Sequence, residues 1–354
     1  MNPPRVSVVV PAYNSAWSLG RTILSVLHQT LDDFELIVVD DGSTDDFAGA
    51  VAPFGGDHRL RIVHQDNGGL ASARNRGIAE ARAPLVAPID ADDLWHPDFL
   101  AECVSALERD SEAPFAFAYS FRMNEDDYLF PHFLPRLAPR HDFVGLLSLN
   151  SVACGSSAVF RRDAMLRVGC YDEDMGRRGL HGAEDWKMIL RMARLRQPVL
   201  VERYLVGYRH SELSMSQSEP RRQFGAVLDV IEHVRREMPD VSGRTIADAR
   251  TMMTAWLLPA FLRQRDYGFA FVQALRAYAF NPFWFTNPLL RGAHKRWLLV
   301  TFAGICARLG LTRAPLEHLS EVSFEGKRAF AYLQRVTLAP PQPPRPARDH
   351  ANAA

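Results

Sequence analysis

Four consecutive residues, Asp90-Ala91-Asp92-Asp93, put three carboxylates at the end of what reads as a β-strand. Clustered like charges raise one another's pKa values and cost stability unless a cation sits among them. A divalent ion held by carboxylate oxygens would in turn attract a diphosphate. The same segment, Gln65 to Trp95, carries Arg74 early in a stretch with helical spacing. A second acidic pair, Glu184-Asp185, precedes Trp186, Ile189, Leu190 and Ala193, whose i, i+3, i+4, i+7 spacing predicts an amphipathic helix. Two acids at a helix N-terminus either complement its dipole, worth about 0.3 to 1 kcal/mol, or do chemistry. Together these groups point toward a nucleotide-dependent enzyme.

Positioning them is the task of the first 120 residues. Short β-rich runs, Val6 to Val10, Glu35 to Val39, Leu60 to His64, Pro84 to Ile89 and Phe115 to Tyr119, alternate with helical stretches. That alternation predicts an α/β domain with a largely parallel sheet flanked by helices. Near-continuous apolar runs read as strands covered on both faces. The first four are followed by PAYN, DDGSTD, QDNGG and DADD, and in open α/β sheets ligands bind outside the carboxyl ends of strands. Each loop alone could be turn and cap chemistry; four in a row converge on one site. Trp17 to Gln29 and Leu70 to Ala81 have helical spacing, the latter through Leu70, Ala73, Gly77, Ile78 and Ala81, with Arg74 and Asn75 expected off that stripe.

Composition sets limits. With 354 residues, 47% of them hydrophobic, the chain is long enough for one large domain and an extension. Lys+Arg and Asp+Glu both number 41, a balance that argues against nucleic acid as a partner. Cys103, Cys154, Cys170 and Cys306 are widely spaced and read as buried thiols in a reducing compartment. The N-terminal apolar run is too short for a signal peptide, and no stretch reaches the ~18 to 20 residues that cross a bilayer. A cytoplasmic protein is expected. Beyond Ser218 the chain turns helical and rich in Arg, Trp and Phe, and Leu338 to Ala354 lacks the apolar residues to pack. The expected organisation is a catalytic domain over 1–217, a helical extension over 218–337 and a disordered Pro-rich tail over 338–354.

The segments VSVVVPAYN (6–14), VVDDGSTD (38–45), QDNGGLASARNRGIAEA (65–81), APIDADDLWHPDFL (87–100), VGCYDED (168–174) and AEDWKMILRMA (183–193) resemble, in order and spacing, the family 2 inverting glycosyltransferases. The resemblance covers about 190 residues and implies the GT-A fold, a Rossmann-like mixed sheet. Neither GxGxxG nor GxxxxGK[ST] is present. By this resemblance Pro11, Ala12, Tyr13 and Asn14 wall a nucleotide base, Asp40 accepts a hydrogen bond from its edge, and Arg74 stands beside the nucleotide. Asp90 orients the ribose or a metal-bound water, and Asp92 contacts Mn²⁺ or Mg²⁺. Asp93 caps the helix starting near Pro97 or shares the ion. Asp185 is implied as general base, Glu184 as a catalytic partner that holds the acceptor, and His210 as a further metal ligand.

The function these implications describe is inverting, metal-dependent transfer of a sugar from a nucleoside diphosphate donor, UDP-sugar by preference. The acceptor would be a hydroxyl of a glycan or lipid-linked molecule in cell-surface polysaccharide or glycoconjugate synthesis. Two rival classes stand beside it. A nucleotidyltransferase should carry GxGxR after its first strand, where this chain has PAYN; a silent sugar-nucleotide-binding module should lack a base. In the extension, Phe280, Phe283, Trp284 and Phe285 with Arg291, His294, Lys295, Arg296 and Trp297 could rest on the inner face of a membrane. The preferred reading packs those aromatics in a helical subdomain.

Overall fold

The computed structural model describes residues 3–125, 127, 129–131, 140–209, 219–286 and 306. Its first half alternates β1 (Val6–Ala12), α1 (Ala16–Leu27), β2 (Phe34–Asp40), α2 (Phe47–Val51), β3 (Leu60–His64), α3 (Leu70–Glu80) and β4 (Leu85–Pro88). There follow β5 (Leu94–Trp95), α4 (Phe99–Arg109), β6 (Phe115–Met123), β7 (Leu129–Pro131), α5 (Phe143–Ser148), β8 (Ala158–Arg161), α6 (Arg162–Arg167) and α7 (Glu173–Arg177). Then come α8 (Glu184–Leu195), β9 (Val199–Arg209), α9 (Pro220–Glu237), α10 (Gly243–Arg263) and α11 (Tyr267–Phe280).

These strands form one mixed sheet in the order β3-β2-β1-β4-β8-β6-β9-β5, with β7 on β6. The β3-β2-β1-β4 half is parallel, and β8 joins β4 and β6 antiparallel. Successive residues of a strand face opposite sides, so a run such as Val8-Val9-Val10 must be covered twice. Val8 and Val10 pack with α1 and α4 through Leu19, Ile23 and Leu100; Val9 packs on the other face with Ala73 and Ile78 of α3. Gly77 makes that approach possible, since a Cβ there would lie 2.2 Å from Val9 Cγ1. The parallel register brings Ala12 beside Asp40 and Asp40 beside His64, which aligns the first three loops at one sheet end.

The helical extension expected after Ser218 is seen over α9 to α11, whose Phe224, Val227, Ile231, Ile246 and Phe261 share a core with Trp186, Ile189 and Leu190 of α8. Phe224, Phe261 and Phe269 form an aromatic cluster with ring centroids 4.9 to 5.8 Å apart. Phe280 and Phe283 do not join it and are exposed, Phe283 at 59%. The boundary at Ser218, the basic stretch at 291–297 and the tail at 338–354 lie outside the described residues. Among the described residues no helix is long and apolar enough to cross a membrane, and Cys103, Cys154 and Cys170 are free thiols, the first two buried.

Candidate active site

The first two loops are tied to each other. Asn14, at φ 48°, donates its N–H to Ser43 Oγ and accepts the Thr44 N–H at 2.8 Å. Pro11 and Ala12 remain buried in β1, whereas Tyr13 and Asn14 are exposed at the cleft. The acids of the second loop serve the protein itself. Asp40 accepts the Ser43 N–H and pairs with His64 Nδ1, each at 2.9 Å, and these contacts outweigh burial to lower its pKa. Asp41 accepts from Gln65 Nε2, Gly68 N–H and Gly69 N–H at 2.7 to 2.9 Å, which ropes the third loop to the second. Gly69, at φ 86°, turns that loop into α3.

Arg74 is not on a polar helix face. Leu70 and Arg74 are four residues apart and so share one side of α3, and Arg74 is 2% exposed. Its Nη2 donates to Asp90 Oδ1 at 2.5 Å and its Nη1 to Glu184 Oε1 at 2.9 Å. Its guanidinium also lies over the Tyr171 ring, 5.1 Å from the centroid. Burial opposes the charge, but Asp90 and Glu184 hold the pKa above the usual arginine range. One cation thus joins the aspartate loop after β4 to the N-terminus of α8.

Glu184 completes the helix start. No side chain caps α8 at Ala183; instead Glu184 Oε2 accepts the N–H groups of Gly182 and Ala183 at 3.0 and 3.1 Å. Both oxygens are therefore engaged. Asp185 is half-buried and accepts only the Trp186 N–H among described hydrogen bonds, at 2.6 Å. Burial first, then Glu184, push its pKa up to about 7 against the pull of Arg74. A carboxyl poised near neutrality can take up or release a proton at small cost.

The three aspartates of the fourth loop differ sharply. Asp90 faces Arg74. Asp92 is half-buried, its carboxylate takes no hydrogen bond from another described residue, and burial and then Asp90 raise its pKa to about 6. Asp93 is 0% exposed. It does not cap the next helix: α4 begins at Phe99 with Asp98 at the cap position. Asp93 points inward because β9 and the loop before β8 supply donors there, Arg209 N–H at 2.8 Å and Ser156 Oγ at 2.5 Å. Each Asp93 oxygen thus accepts one hydrogen bond from the protein, and the side chain is turned inward.

Ser156 and Arg209 carry loop geometry that none of the matched segments contains, whereas Tyr171 lies inside VGCYDED. Ser156 Oγ also accepts the Asp90 N–H at 3.0 Å. Arg209 is buried and donates to Asp92 O and to Asp127 Oδ1 at 2.7 and 2.6 Å. Ser156 and Arg209 look ordinary in sequence, since a lone Ser or Arg has no spacing to mark it. His210 lies outside the described residues. Burial, and then Asp92 and Asp90, hold the Asp93 pKa well above the usual carboxylate range. Asp93→Asn, which keeps an acceptor for Arg209, should stay within about 1 kcal/mol of the parent in urea unfolding; Asp93→Ala, which strands both donors, should lose about 2 to 5 kcal/mol. Equal losses would disprove the network.

Among the described residues no group of three or more His, Cys, Asp or Glu is arranged to hold a metal ion. Asp92 nonetheless fits one. Burial and then Asp90 raise the pKa of its free carboxyl, so this is the acid whose charge a cation would relieve, and diphosphate oxygens would complete such a site.

Residues 7–169 match the family model described as glycosyl transferase family 2. Over those residues the chain is similar to glycosyl transferase family 2. The family 2 segment is similar to the chondroitin synthase of Pasteurella multocida (strain Pm70), at 33% identity over 127 residues, 36% of this chain and 13% of the synthase. It is also similar to the uncharacterized glycosyltransferase EpsJ of Bacillus subtilis (strain 168), at 47% identity over 92 residues, 25% of this chain and 26% of EpsJ. The chain thus spans well under a third of these relatives. The fold is like that of S. aureus TarS residues 1–349 in complex with UDP-GlcNAc, at a TM-score of 0.60 and 16% identity over 88% of this chain and 93% of that one. A mixed sheet flanked by helices is common to both.

Proposed function

We propose that this protein transfers a sugar from a UDP-sugar to a hydroxyl of a glycan or lipid-linked acceptor, with inversion, in cell-surface polysaccharide or glycoconjugate synthesis. The observation that carries the reading is Asp185: a half-buried carboxyl with a pKa near 7, on the helix that Arg74 joins to the aspartate loop. The acceptor hydroxyl gives its proton to Asp185 as its oxygen attacks the anomeric carbon. The nucleoside diphosphate leaves from the opposite face, so one displacement inverts the centre and no sugar–enzyme bond forms. A divalent cation, Mn²⁺ or Mg²⁺, held by Asp92 would neutralise the charge on the departing diphosphate. Tyr13 and Asn14 wall the base with Pro11 and Ala12 behind them, and Asp40, already holding His64, presents that pair to the base edge. TarS, crystallised with UDP-GlcNAc, supports the choice of uridine donor.

Residues 1–217 would form the transferase domain, 218–337 the helical extension and 338–354 a tail. Exposed Phe280 and Phe283 favour a peripheral contact of the extension with the inner face of a membrane. Thermal unfolding against a panel of nucleoside diphosphate sugars, with and without Mn²⁺, tests the donor class. A UDP-sugar should raise the melting temperature only with the ion, because a ligand that binds the native state stabilises it. A response to nucleoside triphosphates in place of UDP-sugars would favour the nucleotidyltransferase reading.

A further inference from the structure

The Asp90–Arg74–Glu184 bridge joins two halves of the site that the sequence keeps 94 residues apart, and it is built rather than incidental. Arg74 occupies a socket. A Cβ on Gly155 would lie 2.9 Å from Arg74 Nη2, so the loop before β8 leaves room for the guanidinium by lacking a side chain. Tyr171 forms the other wall, and Asn75, the next residue of α3, fixes it: Asn75 Oδ1 accepts the Tyr171 N–H at 3.0 Å and Nδ2 donates to Tyr171 O at 2.9 Å. The bridge is also costly. Arg74 Nε and the Tyr171 hydroxyl are buried with no hydrogen-bond partner among the described residues. Groups left unpaired in this way lower stability and call for another reason to be kept.

We infer that Arg74 and Glu184 are positioning residues, a rigid strut that fixes the distance between the aspartate loop after β4 and the helix bearing Asp185, without either touching the substrate. The inference rests on the proposed role of Asp185. Arg74 gives one N–H of each Nη group to a carboxylate and is 2% exposed, so its guanidinium is closed off from a nucleotide in the cleft. Glu184 likewise spends both oxygens, one on Arg74 and one on two backbone N–H groups. What the strut sets is the gap between the place where the leaving group is held and the place where the acceptor is deprotonated. Misplacing such groups by about 1 Å can cost about 100-fold in rate.

Amide hydrogen exchange on the full chain tests this, with a substitution on one side read on the other. Glu184→Gln keeps the shape of the side chain but cannot serve both Arg74 and the backbone donors. It should speed exchange about tenfold in the peptide covering 89–93 as well as in 182–187. Gly155→Ala, which moves no charge, should do the same to 182–187. Both variants should bind UDP in MnCl₂ buffer within about threefold of the parent by calorimetry and lose about 100-fold in kcat with the donor found by the nucleotide-sugar screen. Exchange changes confined to the peptide around each substitution would overturn the strut, as would a loss of UDP affinity parallel to kcat, which would make Arg74 a nucleotide ligand. Failure of the base assignment would show differently, as continued transfer by Asp185→Asn with the exchange coupling intact.

Discussion

Asp185→Asn is expected to lower kcat by about 10²- to 10⁴-fold while UDP affinity stays within about twofold, measured as UDP release and by calorimetry. The amide fills the same space and can still accept the Trp186 N–H, so the helix start survives and only the proton acceptor is lost. The parent enzyme should show kcat/KM rising with pH up to about 7 and level above it, because the base works only when ionised and kcat/KM reports the free enzyme. The same shift has a stability sign. A carboxyl whose pKa is raised on folding binds more protons in the native state between its unfolded and folded values, so native stability falls as pH rises from about 4 to about 7. Asp185→Asn removes that loss and should unfold at a temperature equal to or above the parent's at pH 8. An inactive variant that also fails to bind UDP would take Asp185 out of the base role.

The parallel half of the sheet was legible because β1, β2 and β4 are buried on both faces and so read as unbroken apolar runs, each ended by turn-forming residues. On the other side β6 was legible as Phe115 to Tyr119, but β9, β5 and β7 were not. β9 mixes Glu202, Arg203 and Tyr204 into its run and pairs with β6 across two register shifts, which destroys any simple alternation. β5 has two residues and β7 three, too few for a period. At the site, the carboxylates were visible as a cluster, but their division was not. Which aspartate turns inward depends on Ser156 and on the Arg209 N–H, donors 63 and 116 residues away that only the fold brings near. Arg74 was expected off the apolar stripe of α3, although its spacing from Leu70, Gly77 and Ile78 puts it on that stripe. Charge type misleads where a buried cation has two carboxylates waiting for it.

Asp92→Ala should weaken Mn²⁺-dependent UDP binding by at least about 100-fold, since changes merely next to a metal ligand already cost about 10- to 100-fold. The argument turns on what the other two acids of the loop are doing. Asp93 is sealed inside with both oxygens taken, and Asp90 gives one oxygen to Arg74. Asp92 alone has a carboxylate that no other described residue donates to, and burial with the neighbouring Asp90 already raises the cost of its charge. Removing it should therefore relieve an unfavourable charge in the empty enzyme, leaving the melting temperature unchanged or higher, while abolishing the added stability that UDP gives with Mn²⁺. Stability and binding then move in opposite directions, a pattern that a merely disrupted loop would not produce. An unchanged Mn²⁺ titration of UDP binding would move the ion away from Asp92 and leave the loop's remaining charge without a partner.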